Sequence, residues 1–118
     1  MIAVLFGAVV LTGCTKNDAA TINVKVLKNG QPVVGEFVYK YRSSLGESFL
    51  TSKIHADQEV ATDEQGVAEF KLSNIDFGAG SSTASFVFET FDSKEVVNGK
   101  IAASVNKGQT KEVTINQR

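Results

Sequence analysis

The sequence predicts an all-β protein, an antiparallel β-sandwich of about seven strands in one domain. Two observations support this: apolar residues recur at every second position in several short stretches, and residues that favour turns separate these stretches. No stretch after residue 20 shows the apolar period of about 3.6 residues that marks an amphipathic helix. The chain has 118 residues, 42% hydrophobic and 21% charged, which suits one domain with a modest core.

The first predicted element is a hairpin over residues 21–41. Its first strand turns one apolar face toward the core, formed by Ile22, Val24 and Val26. The tight turn is N-G-Q-P at residues 29–32, because Asn and Gly tolerate positive φ and Pro donates nothing to a ladder. The residues of the second arm that alternation places inward are Val33, Gly35, Phe37, Tyr39 and Tyr41.

Three more strands are predicted in the middle of the chain, after a polar loop at residues 42–47. The first, at residues 49–55, is an irregular edge strand, and the second covers residues 58–62. A turn at residues 63–66 then ends in Gly66, which can adopt the left-handed conformation. The third strand, at residues 67–72, alternates cleanly, and its inward residues are Ala68, Phe70 and Leu72.

The second half of the chain begins with its longest non-periodic segment, residues 73–82. A strand rich in phenylalanine follows at residues 83–91, and we expect Phe86 and Phe88 in the core. After a turn at Asp92, residues 95–105 favour one long strand, with a hairpin turn at Asn98-Gly99 as the alternative. Another turn precedes a closing strand at residues 110–115, whose inward residues are Val113 and Ile115.

The N-terminal residues differ from the rest of the chain. Residues 2–11 form an apolar run that is too short to span a bilayer as a helix and has the length of a signal-peptide core. The run ends in L-T-G-C at residues 11–14, which resembles the lipobox of bacterial lipoproteins. The resemblance implies cleavage before Cys14 and acylation of its thiol and new amine. The alternative is a buried N-terminal strand with a free thiol.

The lipobox divides the chain into three predicted segments. They are a lipoprotein signal peptide at residues 1–13, a lipidated cysteine with a flexible tether at residues 14–20, and the β-sandwich at residues 21–118. The basic segment that normally precedes the apolar core is expected upstream of Met1. Thr15 follows the cysteine, as in lipoproteins sent to the outer membrane. We therefore expect a cell-envelope protein held at the outer membrane through Cys14, either periplasmic or surface-exposed.

Two motifs in the first half resemble the carboxypeptidase regulatory-like domain, a family with a transthyretin-like or Ig-like fold. The motifs are N-G-Q-P-V-V-G at residues 29–35 and A-T-D-E-Q-G-V-A-E-F at residues 61–70. The family pairs a G-x-P-V-x-G hairpin with a T-D-x-x-G turn that precedes a strand bearing an aromatic residue. The resemblance implies a sandwich fold and a non-catalytic role.

Composition and residue types narrow the function. With 12 basic and 13 acidic residues, the net charge of -1 argues against a nucleic-acid partner. A single cysteine and a single histidine, His55, supply neither a metal cluster nor a nucleophile–base pair, so we predict no enzyme activity, metal or cofactor. Asp63 is expected in a solvated turn rather than a calcium site. Tyr39 and Tyr41 are expected to pack in the core rather than to stack on sugars.

These inferences predict a lipid-anchored, non-catalytic module that binds a protein or glycan partner in the envelope. The alternative function is a structural lipoprotein subunit of an envelope assembly such as a type VI secretion system. Counting strands alternately away from and toward the tether places residues 73–82 at the far end, beside residues 29–32. The candidate partner-binding residues of this loop are Asn74, Asp76, Phe77, Gly78 and Gly80. The other interpretation is an unused glycine-rich connection.

Overall fold

The structure, a computed structural model, describes residues 19–42, 53, 56–78 and 80–118. This part of the chain forms eight strands: β1 Ala20–Lys28, β2 Gln31–Pro32, β3 Phe37–Arg42, β4 Gln58–Ala61, β5 Val67–Leu72, β6 Thr83–Phe91, β7 Val97–Asn106 and β8 Thr110–Gln117. A 3₁₀ helix at Asn74–Phe77 separates β5 from β6. The predicted signal peptide, Cys14, His55 and, apart from Lys53, the predicted edge strand at residues 49–55 lie outside the described residues.

The strands form two sheets, which confirms the predicted β-sandwich. In the first sheet β1 is the central strand. It pairs antiparallel with β5 and with the short β2, and parallel with β8. The second sheet has the order β4-β3-β6-β7 and is antiparallel throughout. The parallel β1–β8 pair arises because the turn after β7 returns beside Ala19, where the Gly108 N–H donates to the Ala19 carbonyl at 2.6 Å.

The main core lies between the two sheets. Its fully buried members include the predicted inward residues of β1 and β5, which are Ile22, Val24, Val26, Ala68, Phe70 and Leu72. Phe86 and Phe88 enter from the second sheet, and the Phe88 and Phe70 rings lie 5.0 Å apart between their centroids. Ile115 of β8 is also completely buried, and Val113 packs against the same core. The alternation of these strands therefore predicted the interior correctly.

The chain leaves the first turn in a way that the sequence analysis did not predict. The turn itself is confirmed, since Asn29 has φ 54° and Gly30 has φ 79°. The pairing with β1 extends only through Gln31–Pro32 and the Val33 N–H, however, and the chain then crosses to the second sheet at Gly35, where φ is 76°. The prediction that residues 33–41 form the second arm of the hairpin is wrong. β3 belongs to the opposite sheet.

The faces of β3 are also reversed relative to the prediction. Val38 and Lys40 face the main core, whereas Tyr39 and Tyr41 lie on the outer face of the second sheet in a separate cluster. Phe37, predicted to be buried, is 47% exposed. All four residues from 38 to 41 are buried, so β3 is covered on both faces and its alternation does not identify the inner one.

The long strand β7 is confirmed, and no hairpin occurs at Asn98-Gly99. Gly99 pairs with Thr90 while Val97 pairs with Phe91, so Asn98 is an extra residue in a β-bulge. The bulge reverses the side-chain alternation at this point. Val97, predicted to face inward, therefore packs with the outer cluster, whereas Ala103 and Val105 stay in the main core as predicted.

The two sheets meet along β7 and β8. The Arg118 N–H donates to the Asn98 carbonyl at 2.9 Å, and the Arg118 guanidinium donates to the Val97 carbonyl at 2.8 Å. Further along, the Lys111 ammonium donates to the Ser104 carbonyl at 3.0 Å. These contacts close one side of the sandwich.

The ends of the sandwich can now be assigned. We call the end where β1 starts the Ala20 end and the opposite end, where β1 finishes, the Lys28 end. Ala20 pairs with Leu72, so residues 73–82 follow at the Ala20 end, together with the turn before β8. The predicted position beside residues 29–32 is wrong. The strand count from the sequence treated residues 49–55 as a strand that crosses the sandwich. Lys40 pairs with Gln58, however, so β3 finishes at the same end of the sandwich at which β4 starts.

Candidate functional site

The two family-like motifs meet at the Lys28 end and form a clamp centred on Thr62. The Thr62 hydroxyl donates to the Val33 carbonyl at 2.6 Å and accepts from the Glu36 N–H at 2.9 Å. The Thr62 backbone adds bonds to Gly35 at 3.0 Å and to Glu36 at 2.9 Å. Thr62 is buried, so this clamp fixes the segment that crosses between the sheets.

The turn before β5 completes the clamp. One carboxylate oxygen of Asp63 accepts from the Gln65 N–H at 2.8 Å and the Val67 N–H at 3.0 Å. Gly66 has φ 79°, and a Cβ atom there would lie 2.9 Å from Pro32 Cβ. Only glycine fits this close approach without strain. The exposed turn at Asp63 is confirmed, and the motif residues have structural roles in the described chain.

Two of the candidate loop residues hold the loop in place. Phe77 is 4% exposed and packs in the main core. The Asp76 carboxylate accepts from the Ser73 N–H at 2.8 Å and lies 3.3 Å from Lys40 Nζ. Burial opposes ionisation of Asp76, but the hydrogen bonds from Ser73 and the charge of Lys40 outweigh it and lower the pKa of Asp76.

The other three candidate loop residues line a shallow, open groove at the Ala20 end. The groove has a volume of about 520 Å³, and its lining residues are Asn74, Ile75, Gly78, Gly80 and Lys107. Ile75 is 79% exposed, and the Lys107 ammonium lies 5.6 Å from the centre of the Phe77 ring. The structure thus brings part of the predicted loop together with a basic residue from another turn.

A buried lysine near this loop was not recognised from the sequence. The Lys40 side chain is 2% exposed, and its ammonium lies 3.5 Å from Asp57 and 3.3 Å from Asp76. The same ammonium is 4.5 Å from the centre of the Phe86 ring. Asp57 also pairs with Arg42 at 3.8 Å. A lysine inside an otherwise apolar strand was the signal, because a buried cation needs acidic partners.

An aromatic cluster covers the outer face of the second sheet toward the Lys28 end. The Tyr39 and Phe91 rings meet edge to face at 5.5 Å, and Phe37 lies 6.4 Å from Tyr39. The Lys53 ammonium lies 5.5 Å from the Tyr39 ring and 5.4 Å from the Phe91 ring. A pocket of about 180 Å³ opens beside these rings and is also lined by Gly35 and Glu36. We call Phe37, Tyr39 and Phe91 the aromatic patch.

Glu89 lies beneath the outer face in the middle of the second sheet. It is completely buried, and Lys100, whose side chain is 49% exposed, lies 3.6 Å away. Burial raises the pKa of Glu89, although Lys100 and the Tyr41 hydroxyl offset part of this effect. Burial and the Glu89 carboxylate in turn raise the pKa of Tyr41 well above its usual range.

The large hydrophobic side chains that remain exposed in the described chain are distributed unevenly. They are Val34 at 60%, Phe37 at 47%, Ile75 at 79% and Val96 at 58%. Val34 and Phe37 flank Gly35, and Val96 follows the turn after β6. All three therefore lie at the Lys28 end, whereas Ile75 alone lies at the Ala20 end.

Two further findings concern the described residues only. They contain no group of three or more His, Cys, Asp or Glu side chains placed to hold a metal ion. No helix among them is both long enough and apolar enough to cross a membrane.

Comparisons with known proteins support the fold. No protein-family model matches the sequence, and a comparison with curated proteins finds no match. Among solved structures, the Bacillus anthracis TIE protein is similar, with a TM-score of 0.50 at 13% sequence identity. The match covers 85% of this chain but only 17% of that one. At this identity the likeness supports the class, an all-β sandwich domain.

Proposed function

We propose that the protein is a lipid-anchored, non-catalytic module of the cell envelope, held at the outer membrane, that binds a protein or glycan partner at its Lys28 end. The observation that carries this proposal is the difference between the two ends. The described chain enters the fold at the Ala20 end, while Val34, Phe37 and Val96 are exposed at the opposite end. An anchor and a binding surface are then separated by the full length of the sandwich.

The anchor is supported by the sequence L-T-G-C at residues 11–14, which resembles a lipobox. All the described strands and the described core residues lie after residue 18, outside the proposed signal peptide. Five residues lie between Cys14 and Ala20, and the six steps from one Cα atom to the next can span at most about 22 Å. A lipid on Cys14 would therefore hold the Ala20 end close to the bilayer.

The clamp supports assignment of the domain to the carboxypeptidase regulatory-like, transthyretin-like type. Thr62 joins the two motifs that resemble this family through bonds to Val33, Gly35 and Glu36. Gly66 packs against Pro32, which explains why both motifs carry glycine or proline at these places. The contacts of this clamp are structural, which agrees with a scaffold that presents a surface rather than a catalytic site.

The binding surface is supported by the aromatic patch. Half-exposed Phe37 offers an apolar contact, and exposed apolar and aromatic groups are typical of interfaces. Val34 extends this contact, while Glu36 and Lys53 beside the pocket supply polar groups for orientation. The patch is seated on the rigid second sheet, which reduces the entropy lost on binding.

The anchor is tested by labelling cells with a fatty-acid analogue. Cys14→Ala should abolish labelling and release the protein from membranes, because the proposed acylated thiol is gone. Thr12→Ser, a conservative change at a small residue of the motif, should retain both. Unchanged labelling of Cys14→Ala would show that residues 11–14 are not a lipobox.

The binding surface is tested by photo-crosslinking in cells. A photoreactive residue at Val34 or Val96 should yield an adduct of the same mass, because both positions face the same partner. The matched controls are Glu69 and Ala102, which are exposed on the outer faces of the two sheets. Phe37→Ser should weaken the Val34 adduct without changing the melting temperature. Adducts at the control positions but not at the Lys28 end would contradict the proposal.

A further inference from the structure

We propose that the Ala20 end is a membrane-contact surface that binds anionic phospholipid, through Ile75 and three lysines, Lys71, Lys107 and Lys111. The inference rests on the proposed function, in which a lipid on Cys14 anchors the protein. It concerns a separate, non-covalent contact of the folded domain with lipid headgroups, and that contact can be measured without the anchor.

The fold assembles this basic surface from separate parts of the sequence. Lys71 lies near the end of β5, opposite Thr21, and Lys111 lies near the start of β8, opposite Ile22. Lys107 comes from the turn before β8, whose Gly108 is bonded to Ala19. The three residues are dispersed in the chain, which is why the sequence shows no basic run.

No carboxylate in the described chain pairs with these lysines, although the Lys111 ammonium donates to the Ser104 carbonyl and the Lys107 ammonium lies over the Phe77 ring. None of the ion pairs in the described chain includes Lys71, Lys107 or Lys111. The acidic residues at this end, Asp57 and Asp76, are paired with Lys40 and Arg42. Among the described residues, basic side chains therefore outnumber acidic ones at the Ala20 end.

Other acidic residues lie farther from this surface. Glu69 and Glu112 flank Asn23, two residues along β1 from Thr21 and so about 7 Å from that level. The Lys28 end, in contrast, mixes both signs. Its charged side chains are Glu36, Asp63, Glu64, Asp92, Glu95, Lys28, Lys53, Lys94 and Arg118. The charges of the described residues are thus unevenly distributed, and the Ala20 end is the basic end of the sandwich.

Ile75 supplies the apolar part of the contact. It is 79% exposed on the 3₁₀ helix, while Phe77 of the same helix is buried and Asp76 is tied to Ser73 and Lys40. The isoleucine is therefore held outward by a fixed support. Lys107 borders the same groove. An exposed aliphatic side chain beside lysines matches the boundary between headgroups and acyl chains, where apolar groups insert and cations pair with phosphates.

The anchor length favours lipid as the occupant. A tether of at most about 22 Å confines the Ala20 end near the bilayer, so the local lipid concentration is high and a weak contact is populated. The contact would fix the orientation of the domain and direct the Lys28 end away from the membrane.

The test is co-sedimentation of residues 19–118, which contain all the described strands and the main core, with lipid vesicles. Vesicles of phosphatidylglycerol and phosphatidylcholine should bind the domain more tightly than phosphatidylcholine alone, and salt should weaken binding. Lys71→Gln with Lys107→Gln should weaken binding about 30-fold, from about 1 kcal/mol per lysine. Ile75→Ser should weaken it roughly tenfold. The control, Lys28→Gln with Lys94→Gln and Val34→Ser, should bind like wild type.

Equal binding to both kinds of vesicle, or equal losses in the control, would overturn the inference. A photoreactive residue at position 75 that crosslinks to a protein in cells, with no lipid adduct, would overturn it in favour of a protein partner. Circular dichroism of each variant verifies folding. Acylation of Cys14 and crosslinking at Val34 are independent of these lysines, so their failure would instead contradict the proposed function.

Discussion

The two faces of the second sheet are built from the same strands but are stabilised differently. The inner face is mainly aliphatic and aromatic, with Phe86 and Phe88 packed against Phe70 of the other sheet and the buried Lys40 over the Phe86 ring. The outer face also buries aromatic rings, but between them it holds the Glu89 carboxylate and the Tyr41 hydroxyl. Burial alone therefore does not identify the core. Around Phe88 the inner face stabilises through apolar packing, whereas around Glu89 the outer face couples packing to ionisation.

The comparison is tested most strongly by truncating one ring on each face. Phe88→Ala should lower the free energy of unfolding by about 3–5 kcal/mol, because it opens a cavity between two packed sheets. Phe91→Ala should cost less, about 2–3 kcal/mol, since its cluster is bounded by the partly exposed Phe37. Urea denaturation of both variants measures the difference.

A surface control accompanies these variants. Glu69 is exposed on β5 beside the buried Phe70, so Glu69→Ala should change the free energy of unfolding by no more than about 0.5 kcal/mol. A loss equal to that of Phe88→Ala would show that the register of β5 is wrong. Equal losses for Phe88→Ala and Phe91→Ala would remove the distinction between the two faces.

The β-bulge at Asn98 provides the next test, because it changes the face of the second sheet on which the side chains of β7 lie. A Cβ atom at Gly99 would overlap the Ile115 side chain and lie 2.7 Å from the Thr90 hydroxyl. Gly99→Ala should therefore destabilise the protein by about 1–3 kcal/mol through overpacking. Ala102→Ser, an exposed position on the same strand, is the control and should be nearly neutral. A neutral Gly99→Ala would mean that β7 and β8 are not this close.

The smallest expected effect is the pH dependence due to Glu89. Because burial raises its pKa above the ordinary value near 4.5, the folded protein retains a proton that the unfolded chain has already lost. Stability should fall as pH rises from about this value through the raised pKa. Glu89→Gln should lack this fall and be more stable at neutral pH.

Thermal unfolding between acidic and neutral pH measures this slope. The exposed Glu112→Gln provides the control and should keep the wild-type slope. Parallel curves for wild type and Glu89→Gln would show that the outer face does not couple packing to ionisation. Lys100→Gln should steepen the fall, since it removes the cation that stabilises the ionised form.

The sequence correctly predicted those parts of the fold in which one face of a strand is buried and the other is exposed to solvent. β1, β5 and β8 alternate because only one side is buried, so Ile22, Phe70 and Ile115 were assigned correctly. β3 is buried on both sides, and its alternation of aromatic residues with Val38 and Lys40 pointed to the wrong face. The Asn98 bulge changes the side of Val97 without any signal that periodicity can detect.

The candidate site was predictable only in part, because it depends on strand direction. Glycines and the lack of periodicity correctly marked residues 73–82 as a connection, but the strand count placed it at the wrong end. The pairing of Lys40 with Gln58 settles that point and is a long-range contact. The groove also needs Lys107, which the pairing of β6 with β7 brings beside Asn74 and Ile75. Local sequence patterns contain no information about such a long-range contact.

The contacts along β7 have a consequence for the behaviour of many copies together. A strand with free carbonyls at its border can template a neighbouring chain and seed fibrous aggregates. In β7 the carbonyls of Val97, Asn98 and Ser104 are already occupied by Arg118 and Lys111. Copies of a protein at high concentration meet one another frequently. A border whose carbonyls are occupied in this way gives such neighbours fewer places to add a strand.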